Sequence, residues 1–437
     1  MFHLTLVSRK HVPPPLPYTI APIVLLLSLV TPNAYGDINH YNNALLGERA
    51  SGMGGSYIGI SDDVSGLYYN PAGIVYSQDL TLSGAVNTYS LATTTYKNAL
   101  LSNDYERETS SLLPNFFGMV QPMQSWTFGF SYAVTDSLKL DQDQLFTNLA
   151  NTTTSDAIIN SNFQNDEYKI GPSLAMEIND RLAVGMTLYF YLHQSQIILN
   201  QWIGKVATKD QFDDGHTRFE WSNTYIESEE SGIEPVLGVM WAPIERLSIG
   251  MTLRQPLLFS SEMIQQQSCS SDREEAVGLC ALANGTTQAP VLTHIDAKRD
   301  LPLHLGLGAA WFYSDKLLLS ADLNHFSATS ATEFDNTDRD SVTNLALGME
   351  YYLTNSWALR SGLFSNNSNN SKLEGLFTED IDRIGLSGSI TRFTRNSSLT
   401  LGLIIEQGSG TASVIEGANQ ATEFLSTNLF LGSSYKF

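Results

Sequence analysis

The chain closes on Leu429-Phe430-Leu431-Gly432-Ser433-Ser434-Tyr435-Lys436-Phe437, and no other stretch constrains the fold as much. Successive side chains of a strand point to opposite faces. Leu429, Leu431, Tyr435 and Phe437 therefore share one face, and Gly432, Ser434 and Lys436 fall on the other. Ser433 interrupts the apolar series. An alternating apolar face that ends on a terminal aromatic residue looks like the last strand of a bacterial outer-membrane β-barrel. A strand at the end of a soluble β-protein would alternate too, so the rest of the sequence has to decide.

Residues 1–36 read as a signal peptide, with Arg9 and Lys10 as its positive region, Ile23 to Val30 as its apolar core and Ala34-Tyr35-Gly36 as its cleavage site. No later stretch has the roughly 18 consecutive apolar residues of a membrane-spanning helix. Yet hydrophobic residues make up 42% of the chain and charged residues only 16%, against about 25% charged in soluble domains. A barrel spreads its apolar surface over alternate positions, which reconciles these facts. Without Arg9 and Lys10 the mature chain carries 22 basic and 45 acidic residues, a net charge of −23. That balance argues against nucleic acid as a partner. Acidic external loops either bind divalent cations beside lipopolysaccharide or are simply solvated.

Strand-like segments fall at 79–90, 115–121, 125–134, 166–178, 181–197, 232–242, 245–254, 301–313, 316–326, 341–353, 356–364, 381–393, 398–407 and 424–437. Fourteen is an even number, as a closed single-chain barrel requires. Tight turns such as Gln121-Pro122-Met123-Gln124, Asn179-Asp180 and Ser314-Asp315 carry the residues hairpins need. They alternate with long polar stretches at 91–114, 135–165, 198–231, 255–300, 327–340, 365–380 and 408–423. Short periplasmic turns and long external loops are the expected asymmetry. In 181–197 the alternation predicts Leu182, Val184, Met186, Leu188, Phe190 and Leu192 toward lipid, and Ala183, Gly185, Thr187, Tyr189, Tyr191, His193 and Ser195 toward the lumen. Leu399, Leu401, Leu403 and Ile405 repeat the pattern. The expected fold is an all-β membrane protein, a 14-stranded antiparallel barrel over 79–437.

Residues 37–78 break the pattern. They hold Gly47-Glu48-Arg49-Ala50-Ser51-Gly52-Met53-Gly54-Gly55-Ser56-Tyr57, then Ser61-Asp62-Asp63 and Tyr69-Asn70-Pro71-Ala72-Gly73. Glycines this dense allow tight bends and close approach of chain segments. Gly52-x-Gly54-Gly55 lacks the lysine and setting of a phosphate-binding loop.

This pattern resembles the start of the long-chain fatty acid outer-membrane transporter family, of FadL and TodX type. Gly232 to Gln255-Pro256 and Leu301 to Leu323 are similar to two of its hairpins, and the resemblance covers most of 44–437. It implies a 14-stranded barrel with residues 37–78 as a plug, or hatch, in the lumen. It implies hydrophobic ligands that enter from outside, bind within the barrel and leave sideways into the membrane after the hatch shifts. Asn70, Pro71 and Ala72, with Gly52, Gly54 and Gly55, would then be hatch elements beside the ligand path. Asn70-Pro71-Ala72 as a turn that merely seats the plug is the alternative.

The leading functional expectation is passive uptake of a hydrophobic small molecule such as a fatty acid or hydrocarbon. The partners would be that molecule and the lipid and lipopolysaccharide of the bacterial outer membrane, with no cofactor. Twenty Phe, 19 Tyr and 6 Trp can supply apolar contact surface. Lys298 and Arg299 either hold a ligand carboxylate or are solvated charges. Cys269 and Cys280 form a disulfide in an oxidising periplasm or stay as two thiols. A phospholipase reading rests on His193-x-Ser195, where base and nucleophile lie side by side on a strand but face the lumen. A partner-binding barrel for secretion or adhesion rests on the long loops. A water-filled porin conflicts with a plug. His304 and His325 on neighbouring strands are too few ligands for a metal site.

Overall fold

The computed structural model describes residues 39–77, 79–100, 103–147, 154–206, 217–271, 287–334, 337–370, 373, 378–415 and 418–437. The region read as a signal peptide thus lies outside the described residues. Seven strands come first: β1 (Thr81–Leu100), β2 (Asn103–Pro122), β3 (Thr127–Phe146), β4 (Thr154–Asn179), β5 (Leu182–Val206), β6 (Thr217–Ile244) and β7 (Leu247–Arg254). A hairpin follows, β8 (Leu257–Ser271) and β9 (Thr287–Asp296). Seven more complete the chain: β10 (His304–Ser314), β11 (Leu317–Phe326), β12 (Val342–Thr354), β13 (Trp357–Asn366), β14 (Thr378–Phe393), β15 (Ser397–Ile415) and β16 (Ala418–Lys436).

Fourteen of these form one closed antiparallel ring. Each pairs with its sequence neighbour, β10 pairs with β7, and β1 pairs with β16 to shut the seam. Leaving no edge is what a lipid environment demands, because backbone polar groups find no water there. All fourteen expected strands are present.

The alternation works because each wall residue meets either lipid or lumen. Met186, Leu188, Phe190 and Leu192 are exposed on the outer face, while Ala183, Thr187, Tyr189, Tyr191 and His193 are buried inward. Leu399, Leu401, Leu403 and Ile405 face out, with Thr400 and Ile404 inward. Leu429, Leu431, Tyr435 and Phe437 face out as well.

The external stretches depart from expectation. Residues 91–100, 103–114, 135–146 and 408–415 are not loops but continuations of the wall strands, and β5 and β6 run on to Val206 and back from Thr217. Above the bilayer the outer face meets water, so Thr93-Thr94-Thr95 or Glu227-Ser228-Glu229 shows no apolar period, although inward residues such as Leu140, Phe163, Ile197 and Ile226 pack together. The ladder holds the strands without it. Stretch 255–300, read as one loop, contains the β8–β9 hairpin. The outer half of β6 pairs with β8 and its inner half with β7. The change of partner falls around Pro235, where a residue without an N–H disturbs a ladder least.

The ladder between β2 and β3 is short, as are those of β7 with β6 and β10 beside the β8–β9 hairpin. Among the described residues, β2 and β3 pair only from Phe116–Ala133 down to Pro122–Thr127. About 9–11 residues are needed to cross the hydrocarbon layer, so seven paired positions end inside it. Both strands are irregular at this level: the β1–β2 register slips between Phe116 and Pro114, and the β3–β4 register between Val134 and Asp136.

Leu403 lies near mid-height of the outer face. Leu403→Arg should destabilise the barrel by about 2–4 kcal/mol, as cations do at the bilayer midplane. Thr411→Arg, on the same face but beyond the lipid, should cost less than about 0.5 kcal/mol. Urea-dependent folding into vesicles measures both, and equal losses would overturn the assigned membrane level.

Candidate functional site

Residues 39–77 lie against the inner wall. Two short helices, α1 (Glu48–Gly52) and α2 (Gly66–Tyr69), precede a 3-10 turn at Pro71–Tyr76. α1 packs on β13 to β16 and the 3-10 turn on β3 to β6. This segment sits flat because glycines meet it. Gly54 has φ +67°, and a Cβ there would come 3.2 Å from the backbone of Gly362 on β13. A Cβ on Gly238 would overlap the Asn70 side chain.

Three polar anchors fix the segment to the wall. The Asn70 amide donates to the carbonyls of Ile58 at 3.0 Å and Val239 at 3.1 Å, and its Oδ1 accepts from the Ala72 N–H at 3.1 Å. Asn70 therefore caps the 3-10 turn that Pro71 opens, and ties it to β6. Asp322 on β11 accepts the N–H groups of Tyr57 at 2.6 Å and Ile58 at 2.7 Å. Arg49 makes a two-pronged contact with Glu350 on β12, at 2.8 Å for each prong, and reaches Asp62 at 2.5 Å. Arg360 joins Glu350 at 2.6 Å. The two-pronged geometry is specific to arginine.

Above the segment the lumen holds a cavity of about 170 Å³. Its floor includes residues His40 to Leu45, Gly54, Gly55, Ile58 and Tyr68. One wall is aromatic: Phe326 stacks between Tyr41, at 4.6 Å between centroids, and His304, at 4.2 Å. The adjoining wall is charged, beginning at Arg254, the cross-strand partner of His304. Lys169 meets Glu234 at 2.5 Å and Glu167 at 3.2 Å, and Arg254 meets Glu234 at 3.5 Å. Arg299 and His193 both reach Glu230, at 2.7 and 2.8 Å. A smaller cavity of about 80 Å³ shares Asn42 to Leu45 and Phe364 with the first. It extends to Ser111, Asn115, Val134 and Ser137, beside the break between β2 and β3.

The family model described as outer membrane protein transport protein (OMPP1/FadL/TodX) matches residues 42–391. The chain belongs to this family. A solved Pseudomonas aeruginosa FadL homologue is 13% identical, with a TM-score of 0.62, covering 91% of this chain and 100% of that one. The P. putida toluene transporter TodX is 14% identical with a TM-score of 0.61, covering 91% and 99%. The CymD monoaromatic hydrocarbon channel is 12% identical with a TM-score of 0.56, again covering 91% and 99%. No curated protein matches the chain. As a member of the FadL/TodX family, the chain is a transport protein of the bacterial outer membrane, spanning it many times, and not an enzyme.

The expected site residues separate in space. Gly54 and Gly55 line the main cavity, whereas Asn70, Pro71 and Ala72 lie beneath it against β5 and β6, and Gly52 faces β14. Arg299 lines the cavity but Lys298 is exposed, so the two do not act together. His193 and Ser195 both face inward and are buried, but Asn165 and Glu230 occupy the His193 ring nitrogens. That leaves no histidine nitrogen for Ser195. His304 and His325 also separate: His304 pairs across the ladder with Phe326, so His325 takes the opposite face and bonds Thr343. Among the described residues no group of three or more potential ligands could hold a metal. Cys269 is buried on β8, and Cys280 lies outside the described residues. Sequence reasoning assigned no role to Arg49, Glu230, Glu234, Asp322 or Glu350. For Glu234, Asp322 and Glu350 a charged residue at an inward position of a predicted strand was the available signal, whereas Arg49 and Glu230 fell outside the predicted strands.

Glu350→Ala would leave Arg49 and Arg360 buried without a carboxylate and should cost about 3–5 kcal/mol, read as faster amide exchange across residues 48–57. Glu48 behaves differently. Burial outweighs the hydrogen bond from Ser398 and pushes its carboxyl above the usual range. A raised folded value favours the protonated acid. Its contribution is fully present below the unfolded value of about 4.3 and is lost as pH rises through the raised value. Glu48→Gln should therefore slow exchange in residues 48–52 at pH ~7 and leave it unchanged at pH ~4, after correction for intrinsic rates. Equal effects at both values would disprove a raised carboxyl.

Proposed function

We propose that the protein is a passive channel for hydrophobic molecules, fatty acids or hydrocarbons, that enter from outside and bind in the lumen cavity. Residues 39–77 act as a hatch. When the hatch shifts, the ligand leaves sideways into the membrane through the break between β2 and β3. The observation that carries this reading is that the two cavities adjoin across Asn42 to Leu45 and Phe364. The larger has the aromatic wall, and the smaller reaches the stretch where the β2–β3 ladder stops within the lipid layer. Supporting it, the relatives named above include a toluene transporter and a monoaromatic hydrocarbon channel.

The hatch has fixed and movable parts. Asn70, Asp322 and the Arg49–Glu350 contact hold its middle. Residues 42–45 line both cavities, and Asn115 at the break donates a hydrogen bond to the Leu45 carbonyl at 3.0 Å. Movement of residues 42–45 alone would open one cavity into the other without releasing the anchored core.

Ser111 and Ser137 line the smaller cavity on opposite sides of the break. With both changed to Cys and bridged by a short bis-maleimide, cells lacking the native gene should lose uptake of radiolabelled toluene. The unbridged double variant should retain it. Normal uptake through fully bridged protein would exclude this exit. Mass spectrometry of solvent extracts from the purified barrel, beside an unrelated barrel, should show a hydrophobic molecule enriched in this one.

A further inference from the structure

We infer that Glu230 and Glu234 set the ligand class of the lumen cavity: they make it reject carboxylates and accept uncharged hydrophobic molecules. This deepens the reading of the cavity as a hydrophobic-ligand site and rests on it.

Three full cations line the cavity, Lys169, Arg254 and Arg299. Each is already matched. Glu234 places Oε2 2.5 Å from the Lys169 ammonium and Oε1 3.5 Å from Arg254 Nη1. Arg254 spends Nη2 on the Tyr68 carbonyl at 2.7 Å, with its guanidinium over the Tyr68 ring at 4.5 Å. Glu230 holds Arg299 at 2.7 Å. Glu230 and Glu234 are 2% and 0% exposed, so neither can swing into water to vacate its cation. Asp136 and Glu167 add two more carboxylates to the lining. In the lining three carboxylates thus face three cations, and Glu230, outside the lining, holds Arg299 and His193.

An arriving carboxylate therefore meets cations already balanced by buried carboxylates, with no net positive charge to draw it in. To bind a cation the carboxylate must displace Glu230 or Glu234, and the displaced group would stay buried without its partner. An uncharged ligand asks for neither change. It needs only the aromatic face, where the Tyr41–Phe326–His304 stack stands beside Leu301 and Pro302. The volume agrees: about 170 Å³ is close to the ~150 Å³ of an apolar cavity that takes benzene. Arg299, the residue best placed by sequence to hold a carboxylate, is thereby committed to Glu230.

The test compares toluene and benzoate, two single-ring molecules that differ in charge, by equilibrium dialysis against the purified full-length barrel. An unrelated barrel in the same uncharged detergent supplies the background. The native protein should bind toluene at least about tenfold more tightly than benzoate. Glu230→Gln and Glu234→Gln, each freeing cationic charge, should gain benzoate affinity by about tenfold while keeping toluene affinity. Heat-modifiable electrophoretic mobility reports folding of each variant, and the native comparison stands even where a variant does not fold. Equal native binding of both probes overturns charge exclusion while leaving the hydrophobic site intact. So does an unchanged preference in both folded variants. Binding of neither probe removes the hydrophobic-ligand site itself, and this inference with it.

Discussion

A chain in lipid has no water to satisfy its backbone, and the architecture follows from that one constraint. Every wall strand must pair on both sides at membrane depth. β1 with β16 and β5 with β6 therefore close pairings that the rest of the ring could not do without. Side chains reach across and beside the short β2–β3 ladder. Asn115 donates to the Leu45 carbonyl of the N-terminal segment, and Gln142 donates to the Glu106 carbonyl across the two strands further out.

The same demand governs the lumen. Inward wall positions are polar, and the N-terminal segment meets them with matching groups rather than with an apolar core alone. Asp322 accepts two backbone N–H groups, Glu350 takes Arg49 and Arg360, and Asn70 serves three backbone groups at once. Buried pairs of this kind add little net stability over apolar packing, yet losing one partner is expensive. They fix where the segment sits more than how tightly it is held. Apolar contacts such as Val64 and Leu67 against Phe116, Val120 and Ala133 supply the rest.

Much of this was legible in the sequence, for reasons that also explain what was not. Lipid on one side and lumen on the other impose a strict period of two, and so Leu399 to Ile405 or Leu182 to Ser195 announced their faces. The hairpins above the membrane did not, because an outer face in water carries no apolar alternation. β8 and β9 were lost in a long loop for the same reason. The glycine-dense pattern at 47–55 marked the segment that meets the inner wall. The charged wall escaped because its members come from distant strands: Glu234 on β6 meets Lys169 on β4, and only the folded register brings them together. His304 and His325 lie on neighbouring strands as read, but a pairing of 304 with 326 sends 325 to the other face.

The strand lengths carry one more consequence. β5 and β6 have 25 and 28 residues, about 60 Å of wall at roughly 3.3 Å per residue and 45° tilt. The hydrocarbon layer is only about 30 Å thick. Half of this side of the molecule is therefore a parapet standing clear of the bilayer. A sparingly soluble molecule diffusing toward the cell meets protein before it meets the polar headgroups, and a surface layer it would cross slowly becomes one that it bypasses.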